Sequence, residues 1–517
     1  IFNELIGAFA FFIFDKRRKE FFAVRDHLGM KPFYYSFKDG FFVYGSEPKF
    51  IFQISKEKKI LNNEKLFNSL LRNDENFEHT FYKEIFRLER GKFIKSFQNK
   101  IEKFQYHKFE TPSYIEYENE EDCFLDFNNL FSKIIAEQTA NIEKIGTALS
   151  GGLDSTSVTR VLAEQNKKNG NKKKIFSYSF KFSNLETKHI KTTDEMSYVE
   201  DAISLGGLNP RIIDIPRGDY VMQLINDQKI FPSPNLQGNR YLELFTIKNC
   251  IKDGVDTLLT GFDGDCTVSY GMEYIQILLR QFRIMEALKL NNLTRKNLNL
   301  PGNSFRTLFN YVFLRLLPSK VHFFLRKAKG FNNLETHFKY FNTNAKNEIN
   351  PLKIHQKRRK DMYDIKNSHR DLLNKKSFQN AFESLDIDYS YNGIEERHPF
   401  FDKRLMEFCL KIHPSLKLKN GFSRYILRES CKEVLPTSVK ERMTKSDLSP
   451  YFYYSAKSNI NILLENLLSS SSNLKDLLDE ISLKKILSDQ SKLTRHDISW
   501  IVNLNIHDQW IKQHIRS

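Results

Sequence analysis

The feature that most restricts this chain is a change of hydrophobic period near residue 145. From there to about 260, short apolar runs alternate with segments whose apolar residues recur at helical spacing. IGTALS (145–150) reads as a buried strand. Ser155 to Gln165 reads as a helix with Val158, Val161 and Leu162 on one face. KIFSYSF is a second strand, followed by a helix from Glu195 to Leu205 that aligns Met196, Val199 and Ile203. RIIDI is a third strand, Tyr241 to Lys252 a helix, and TLLTG a fourth strand. Strands separated by helices of about 10–15 residues cannot pair as hairpins. Their connections must cross over, which predicts an α/β fold with a parallel, doubly wound sheet. Beyond about 272 the pattern is mainly helical, and 290–350 is rich in Phe, Asn and Lys with no clear period.

Residues 1–110 follow a different rule. Short aromatic runs (GAFAFFIFD, EFFAVRDHLG, KPFYYSFKDG, FFVYGSE) recur between turn signals, with a helical stretch at Leu61 to Arg72 and a last strand pair around GKFIKSF. This part is expected to be β-rich. TPSYIEYENE (111–120) is acidic and polar and reads as a linker. Residues 121–140 carry Phe124, Leu125, Phe131, Ile134 and Ile135 at the spacing of an amphipathic helix. The expected division is 1–110, a linker at 111–120, and 121–517.

Composition excludes several classes. Hydrophobic residues make up 40% and charged residues 28%, so the chain can build packed cores. No apolar run reaches the ~18 residues of a membrane span. Gly7 to Phe14 is apolar, but Glu4 precedes it and DKRRKE follows, so it is a strand and not a secretory signal. Five scattered cysteines with no C-x-x-C pair give neither a disulfide framework nor a zinc site, and predict a reducing, cytoplasmic setting. The net charge of +17 comes from lysines interleaved with acids along the whole chain, which predicts a solvated surface and no nucleic-acid partner. The first residue is Ile1, so the sequence is expected to be processed or a piece of a longer chain.

The chemistry concentrates in loops between these elements. Ser150-Gly151-Gly152-Leu153-Asp154-Ser155-Thr156 joins the first strand to the first helix. Its glycines let backbone approach an oxyanion, and the helix offers N–H groups and its positive end. Ser150, Ser155 and Thr156 add hydroxyl donors, and Asp154 can hold a divalent cation beside a polyphosphate. Thr260-Gly261-Phe262-Asp263-Gly264-Asp265 ends the fourth strand. Ligands of open α/β sheets lie beyond the carboxyl ends of strands, so the two loops should share one edge. There Gly261 permits close approach of a nucleotide and Asp265 supplies a second carboxylate to the metal. G-x-x-x-x-G-K-[ST] does not occur. A third set lies downstream: GIEERHPFFD (393–402), SRYILRE (423–429) and RMTKSD (442–447).

The SGGLDST loop resembles the pyrophosphate loop of the PP-loop ATPases, which cleave ATP to AMP and pyrophosphate. Followed by GIEERHPFFD and the R-x-x-K segment, it resembles the synthetase part of the asparagine synthetase (glutamine-hydrolysing) family, which also holds β-lactam synthetases and lasso-peptide cyclases. GAFAFFIFD, AVRDHLGMKPFYY and GFFVYGSEPKF look like the second half of that family's N-terminal nucleophile glutaminase domain, of α+β class. The resemblance covers 1–290 and 385–450. It implies ATP and Mg²⁺, with ATP and pyrophosphate bound by Ser150, Gly151, Gly152, Asp154, Ser155, Thr156 and Gly261. It also implies metal ligation by Asp154 and Asp265, and charge stabilisation by Lys445. The family's spacing is R-x-K, whereas here Arg442 and Lys445 stand as R-x-x-K.

The implied reaction joins a small-molecule or peptide carboxylate to ammonia or an amine, by an enzyme for which a homodimer stays open. The family's nucleophilic cysteine has no counterpart here, since the first cysteine is Cys123, so this chain is expected not to hydrolyse glutamine. Where the family's loop reads S-G-E-G-x-D, this chain carries Phe262 in place of the glutamate implicated in handling the nitrogen nucleophile. A phenyl ring cannot accept a proton, which leaves asparagine synthesis and specialised, peptide-modifying amide formation both open. His27 and His398 are expected to be structural. Two other readings compete: a tRNA-modifying PP-loop synthetase, which would lack the N-terminal half-domain, and a decayed scaffold, against which the intact SGGLDST and Asp265 argue.

Overall fold

The structure is a computed structural model that describes residues 1–71, 76–97, 100–110, 113–183, 195–300, 317–328, 340–347, 367–375, 377–491 and 493–515. Much of the period-less 290–350 stretch, and the start of the linker at 111–112, fall outside the described residues.

The N-terminal strands form two antiparallel sheets. One runs β1 (Ala10–Asp15), β2 (Glu20–Arg25), β6 (Lys92–Phe97), β7 (Lys100–Gln105); the other runs β4 (Phe41–Gly45), β3 (Tyr34–Lys38), β5 (Phe86–Arg87). Ala23 and Ile94 of the first sheet meet Phe33, Tyr35 and Leu88 on the second side, so the sheets pack face to face. Phe12 stacks on Tyr44 at 4.4 Å, which puts the aromatic surplus of this segment to use as the filling between layers.

The Glu120–Gln138 helix leads into the second part of the molecule. Asn119 caps it by accepting from the Asp122 N–H at 2.9 Å, and Glu120, Glu121 and Asp122 complement the positive helix end. Its buried face is Phe124, Phe127, Phe131, Ile134 and Ile135, whereas Leu125 is 59% exposed. Leu125 was expected on that face; Phe127, three residues beyond Phe124, takes the place at the correct helical angle.

The parallel sheet has the order β10 (Asn209–Asp214), β9 (Lys174–Lys181), β8 (Lys144–Ala148), β11 (Thr257–Leu259), β12 (Glu395–Arg397). The chain moves outward from β8 through β9 to β10, then returns to the opposite side of β8 as β11. The order therefore reverses at β8, where a crevice opens beyond the carboxyl ends of β8 and β11. The fifth strand was not foreseen. Three residues of GIEERHPFFD pair with Thr257, Leu258 and Leu259, and such a charged triplet carries no apolar signature of its own. One face of the sheet packs Ile145, Ile175 and Leu259 against the Glu120–Gln138 and Leu153–Lys168 helices. The other packs Phe176, Tyr178 and Leu258 against the Arg240–Asp253 helix and Tyr389.

The C-terminal part is helical. Arg495–His514 begins in a capping box between Thr494 and Asp497, and buries Trp500 and Trp510. Its core takes in Leu66, Leu70, Phe81 and Tyr82, so the end of the chain packs on the N-terminal segment.

The Ser377–Ser390 helix joins the two parts. Its Glu383 accepts from Arg25 at 2.8 Å, Arg87 at 2.9 Å and Tyr34 at 2.6 Å, with the three charged side chains at most 3% exposed. Five residues on, Asp388 accepts both Nε and Nη2 of Arg240 at 2.8 to 3.1 Å. Glu383→Ala would strand two buried guanidinium groups, and a loss of about 3–5 kcal/mol in urea unfolding is expected. A loss below about 1 kcal/mol would show that the joint does not depend on this clamp.

Candidate functional site

The crevice is built on one turn of chain. β8 ends at Ala148, and the Leu153–Lys168 helix starts after Gly152 with no side chain capping its N-terminus among the described residues. Gly152, Leu153, Asp154 and Ser155 of that first turn line the crevice, and a free helix N-terminus is a position that suits an anion. Gly151 has φ +74°, and a Cβ there would lie 2.9 Å from the Tyr198 Cβ. The two serines close the loop on itself. Ser150 N–H donates to Ser155 Oγ at 3.2 Å, the hydroxyls lie 2.9 Å apart, and Gly152 N–H donates to Ser150 Oγ at 3.3 Å.

The second loop presses directly on this turn. A Cβ on Gly261 would lie 2.4 Å from the Ser155 nitrogen and 2.7 Å from the Asp154 carbonyl carbon; one on Gly264 would lie 2.8 Å from Asp154 Cγ. Only glycine allows this approach.

Charge is concentrated where the loops meet. Asp154 accepts Arg424 at 2.6 and 2.7 Å. Burial pushes the Asp154 carboxyl up, against the pull of Arg424. Asp265 accepts from Lys445 and Tyr270. Burial acts to raise Asp265 as well, but those two hydrogen bonds outweigh it and hold the carboxyl below its usual range. Arg442 pairs with Glu195 at 2.7 Å, donates to the Gly151 carbonyl at 3.1 Å and to Ser446 Oγ at 2.8 Å, and lies 4.3 Å over the Tyr198 ring. Asp263, pushed up to about 6 by burial and then by Asp265, completes an acidic group with Asp265.

A cavity of about 520 Å³ opens here, lined among others by Ser150, Gly152, Asp154, Ser155, Gly261 and Lys445. Gly151, Thr156 and Asp265 do not line it. Gly151 sits behind it, held by Arg442; the Thr156 hydroxyl is wholly buried; and Asp265 reaches it through Lys445. Arg424, Arg442 and Glu195 belong to the same constellation, and the sequence alone did not single them out. Their signal was present, since both arginines stand in the SRYILRE and RMTKSD segments, but only folding shows which charge in each segment turns inward. For Mg²⁺ the donors are suitable in kind: Asp154, which lies against Gly264, and Asp265, the residue after that glycine, are hard oxygen ligands, whereas the Cys266 thiol, pushed up to about 12 by burial, is not a ligand such an ion selects. Phe262 is half-buried: it lines the cavity and packs on Phe382, His398 and Phe401 at 5.3 to 5.6 Å between ring centres. His398 is 3% exposed, and its Nδ1 lies 2.8 Å from Thr260 Oγ1. Burial lowers it to about 3 and His27 to about 4, so both are neutral.

Residues 126–512 match the family model described as asparagine synthase. The chain belongs to the asparagine synthase family. Residues 1–107 match a glutamine amidotransferase domain. Asparagine synthetase (glutamine-hydrolyzing) 3 of Bacillus subtilis is 22% identical over 457 residues, 87% of this chain and 67% of that protein. Asparagine synthetase (glutamine-hydrolyzing) 2 of the same organism is 21% identical over 498 residues, 90% of this chain and 59% of its own length. Amidase chyE of Penicillium rubens is 22% identical over 483 residues, 87% of this chain and 70% of that protein. The chain thus spans about three fifths to two thirds of the two Bacillus proteins. The chain combines a β-rich region that matches the amidotransferase domain, a parallel sheet and a helical C-terminal part. Among the described residues no helix is long and apolar enough to cross a membrane.

Gly261→Ala should displace the first turn of the Leu153–Lys168 helix, because a contact of 2.4 Å with backbone cannot be relieved by a side-chain rotation. A loss of ATP affinity of at least tenfold is expected in equilibrium binding, and unchanged affinity would show that the loop contact does not shape the site.

Proposed function

We propose that this chain is an asparagine synthetase-like, ATP-dependent amide-forming ligase. The substrate acid, aspartate or a related or peptidyl carboxylate, attacks the α-phosphate of ATP. The products are an acyl-adenylate and pyrophosphate, and a nitrogen nucleophile then displaces AMP. The observation that carries this reading is the convergence of the Ser150–Ser155 turn, Gly261, Arg424, Arg442 and Lys445 on one cavity at the sheet's switch point.

Each residue has a task suited to its surroundings. The turn's N–H groups and serine hydroxyls bind the β- and γ-phosphate oxygens. Lys445, kept charged by Asp265, and Arg442, anchored on Glu195, oppose the negative charge that develops on the departing pyrophosphate. Asp154 and Asp265 would hold Mg²⁺, which when bound neutralises polyphosphate charge. Arg424 orients Asp154 and opposes the rise that burial imposes on its carboxyl. The proposed division of labour is an amidotransferase-like region at 1–110, a linker at 111–120 and a synthetase region at 121–517.

The nitrogen is read as free ammonia or an amine. Each of the five thiols (Cys123, Cys250, Cys266, Cys409, Cys431) is pushed up to about 12 by burial, so none of them offers a thiolate for glutamine hydrolysis. A second reading, specialised amide formation on a peptide or other unusual acid, is favoured by Phe262. Its ring is committed to an aromatic cluster at the point where the family resemblance implies a carboxylate.

Two measurements test the proposal. Asp154→Ala should abolish ATP–pyrophosphate exchange while the protein stays folded, and unchanged exchange would remove the site assignment. Supplying the purified chain with aspartate, ammonium and Mg-ATP should yield asparagine and AMP. Exchange without asparagine would transfer the proposal to the specialised acid.

A further inference from the structure

Two further spaces adjoin the synthetase cavity. One, of about 200 Å³, lies between the β-rich N-terminal part and the Ser377–Ser390 helix, and shares Leu385 and Glu396 with it. The other, of about 270 Å³, is a groove along the Ser449–Ser458 and Arg495–His514 helices, and shares Gly238 and Asn239 with it. Gly238 is thus the ridge between cavity and groove. It carries no side chain, and a Cβ there would lie 3.1 Å from the Phe452 ring, which lines the groove.

The groove contains an unsatisfied amide. Asn503 is 4% exposed, yet among the described residues neither its side-chain oxygen nor its side-chain nitrogen has a hydrogen-bond partner. His507 Nδ1 lies 2.9 Å from the Asn503 backbone carbonyl and does not reach that side chain. Asn505, two residues on, shows the ordinary solution: its nitrogen donates to the Leu463 and Ile501 carbonyls at 3.0 and 2.9 Å. A buried carboxamide with neither bond made is disfavoured unless something supplies both. On the cavity side of the ridge, the buried Gln237 Oε1 also lacks a donor.

The surroundings define what would fit. Among the described residues no ionisable side chain lines the groove, so neither a phosphate nor a cation is matched there. Leu236, Phe452, Val502 and Ile506 give it apolar walls. The matching chemistry is an uncharged chain that offers N–H and C=O groups at intervals and an apolar side chain between them, which is a peptide.

We propose that this groove binds the peptide that carries the acid to be activated. The acidic residue enters the synthetase cavity and its chain crosses Gly238. The N–H of one extended residue then donates to Asn503 Oδ1, while the carbonyl of the same residue, on the same side of the strand, accepts from Nδ2. Gln237 Oε1 accepts a second peptide N–H, and an apolar side chain next to the acid packs against Phe452 and Val502. This rests on the amide-forming reading above and names its substrate class, a peptidyl acid with an apolar neighbour.

Calorimetric titration of the full chain tests this with three probes: acetyl-leucyl-aspartyl-leucine amide, acetyl-aspartate amide, and the first peptide N-methylated at its backbone nitrogens. The full peptide should bind at least tenfold more tightly than the other two, and Asn503→Leu should weaken its binding at least tenfold. Equal affinity for the full and short probes, for the full and N-methylated probes, or in wild type and Asn503→Leu would overturn the proposal. Urea unfolding of Asn503→Leu separates a lost ligand contact from a lost fold. Replacing an unpartnered buried amide by leucine should leave the midpoint unchanged or raise it. A lowered midpoint would show that the amide serves the fold, and would also overturn the proposal. Wild-type ATP–pyrophosphate exchange with the same probes, run in parallel, distinguishes the two readings. Absent exchange with tight binding of the full peptide counts against adenylation alone, whereas exchange with no preference for the full peptide counts against the groove alone.

Discussion

The site depends on one close approach, that of the Thr260–Asp265 loop to the first turn of the Leu153–Lys168 helix. Gly261 lies against the backbone of Asp154 and Ser155, and Gly264 against the Asp154 carboxyl group. Because no side chain separates the loops, their carboxylates share one electrostatic environment. Asp265 raises Asp154, Arg424 serves both, and Lys445 completes the set from a third segment. A larger residue at either glycine would part the loops and divide the site.

Around that contact, the molecule is held by elements distant in sequence. Glu383 ties the Ser377–Ser390 helix to the N-terminal sheets through Arg25, Arg87 and Tyr34, and Asp388 ties the same helix to Arg240. Leu385, between them, lines both cavities. The helix is thus clamped on one side by the amidotransferase-like region and on the other by the synthetase cavity. The wall separating the two spaces is as rigid as these buried ion pairs make it, since a buried charge that loses its partner is strongly disfavoured.

The cavity itself is electrostatically divided. Toward the helix N-terminus stand Arg424, Arg442 and Lys445, each paired with a carboxylate. Toward β12 stand Glu243 and Glu396, with an oxygen left without a donor. Basic groups thus gather at one end of the cavity and carboxylates at the other.

Local sequence determined a great deal. The alternating periods from 145 to 260 dictated four parallel strands with crossover helices, because apolar spacing and short connections admit few other topologies. The glycine and serine pattern at 150–156 dictated a tight strand-to-helix turn closed by its own serine hydroxyls, because Gly151 takes a positive φ that other residues rarely adopt. Tertiary structure decided what depends on neighbours far along the chain. It made Glu395–Arg397 the fifth strand, since a charged triplet becomes a strand only when β11 offers an edge. It chose Phe127 over Leu125 for the core by helix angle. It turned Arg424 and Arg442 toward the cavity while Arg428 of the same segment was buried against backbone carbonyls, and it set Glu396 near Glu243 across about 150 residues of chain, a juxtaposition of charges that no local pattern encodes because its free energy arises only on burial.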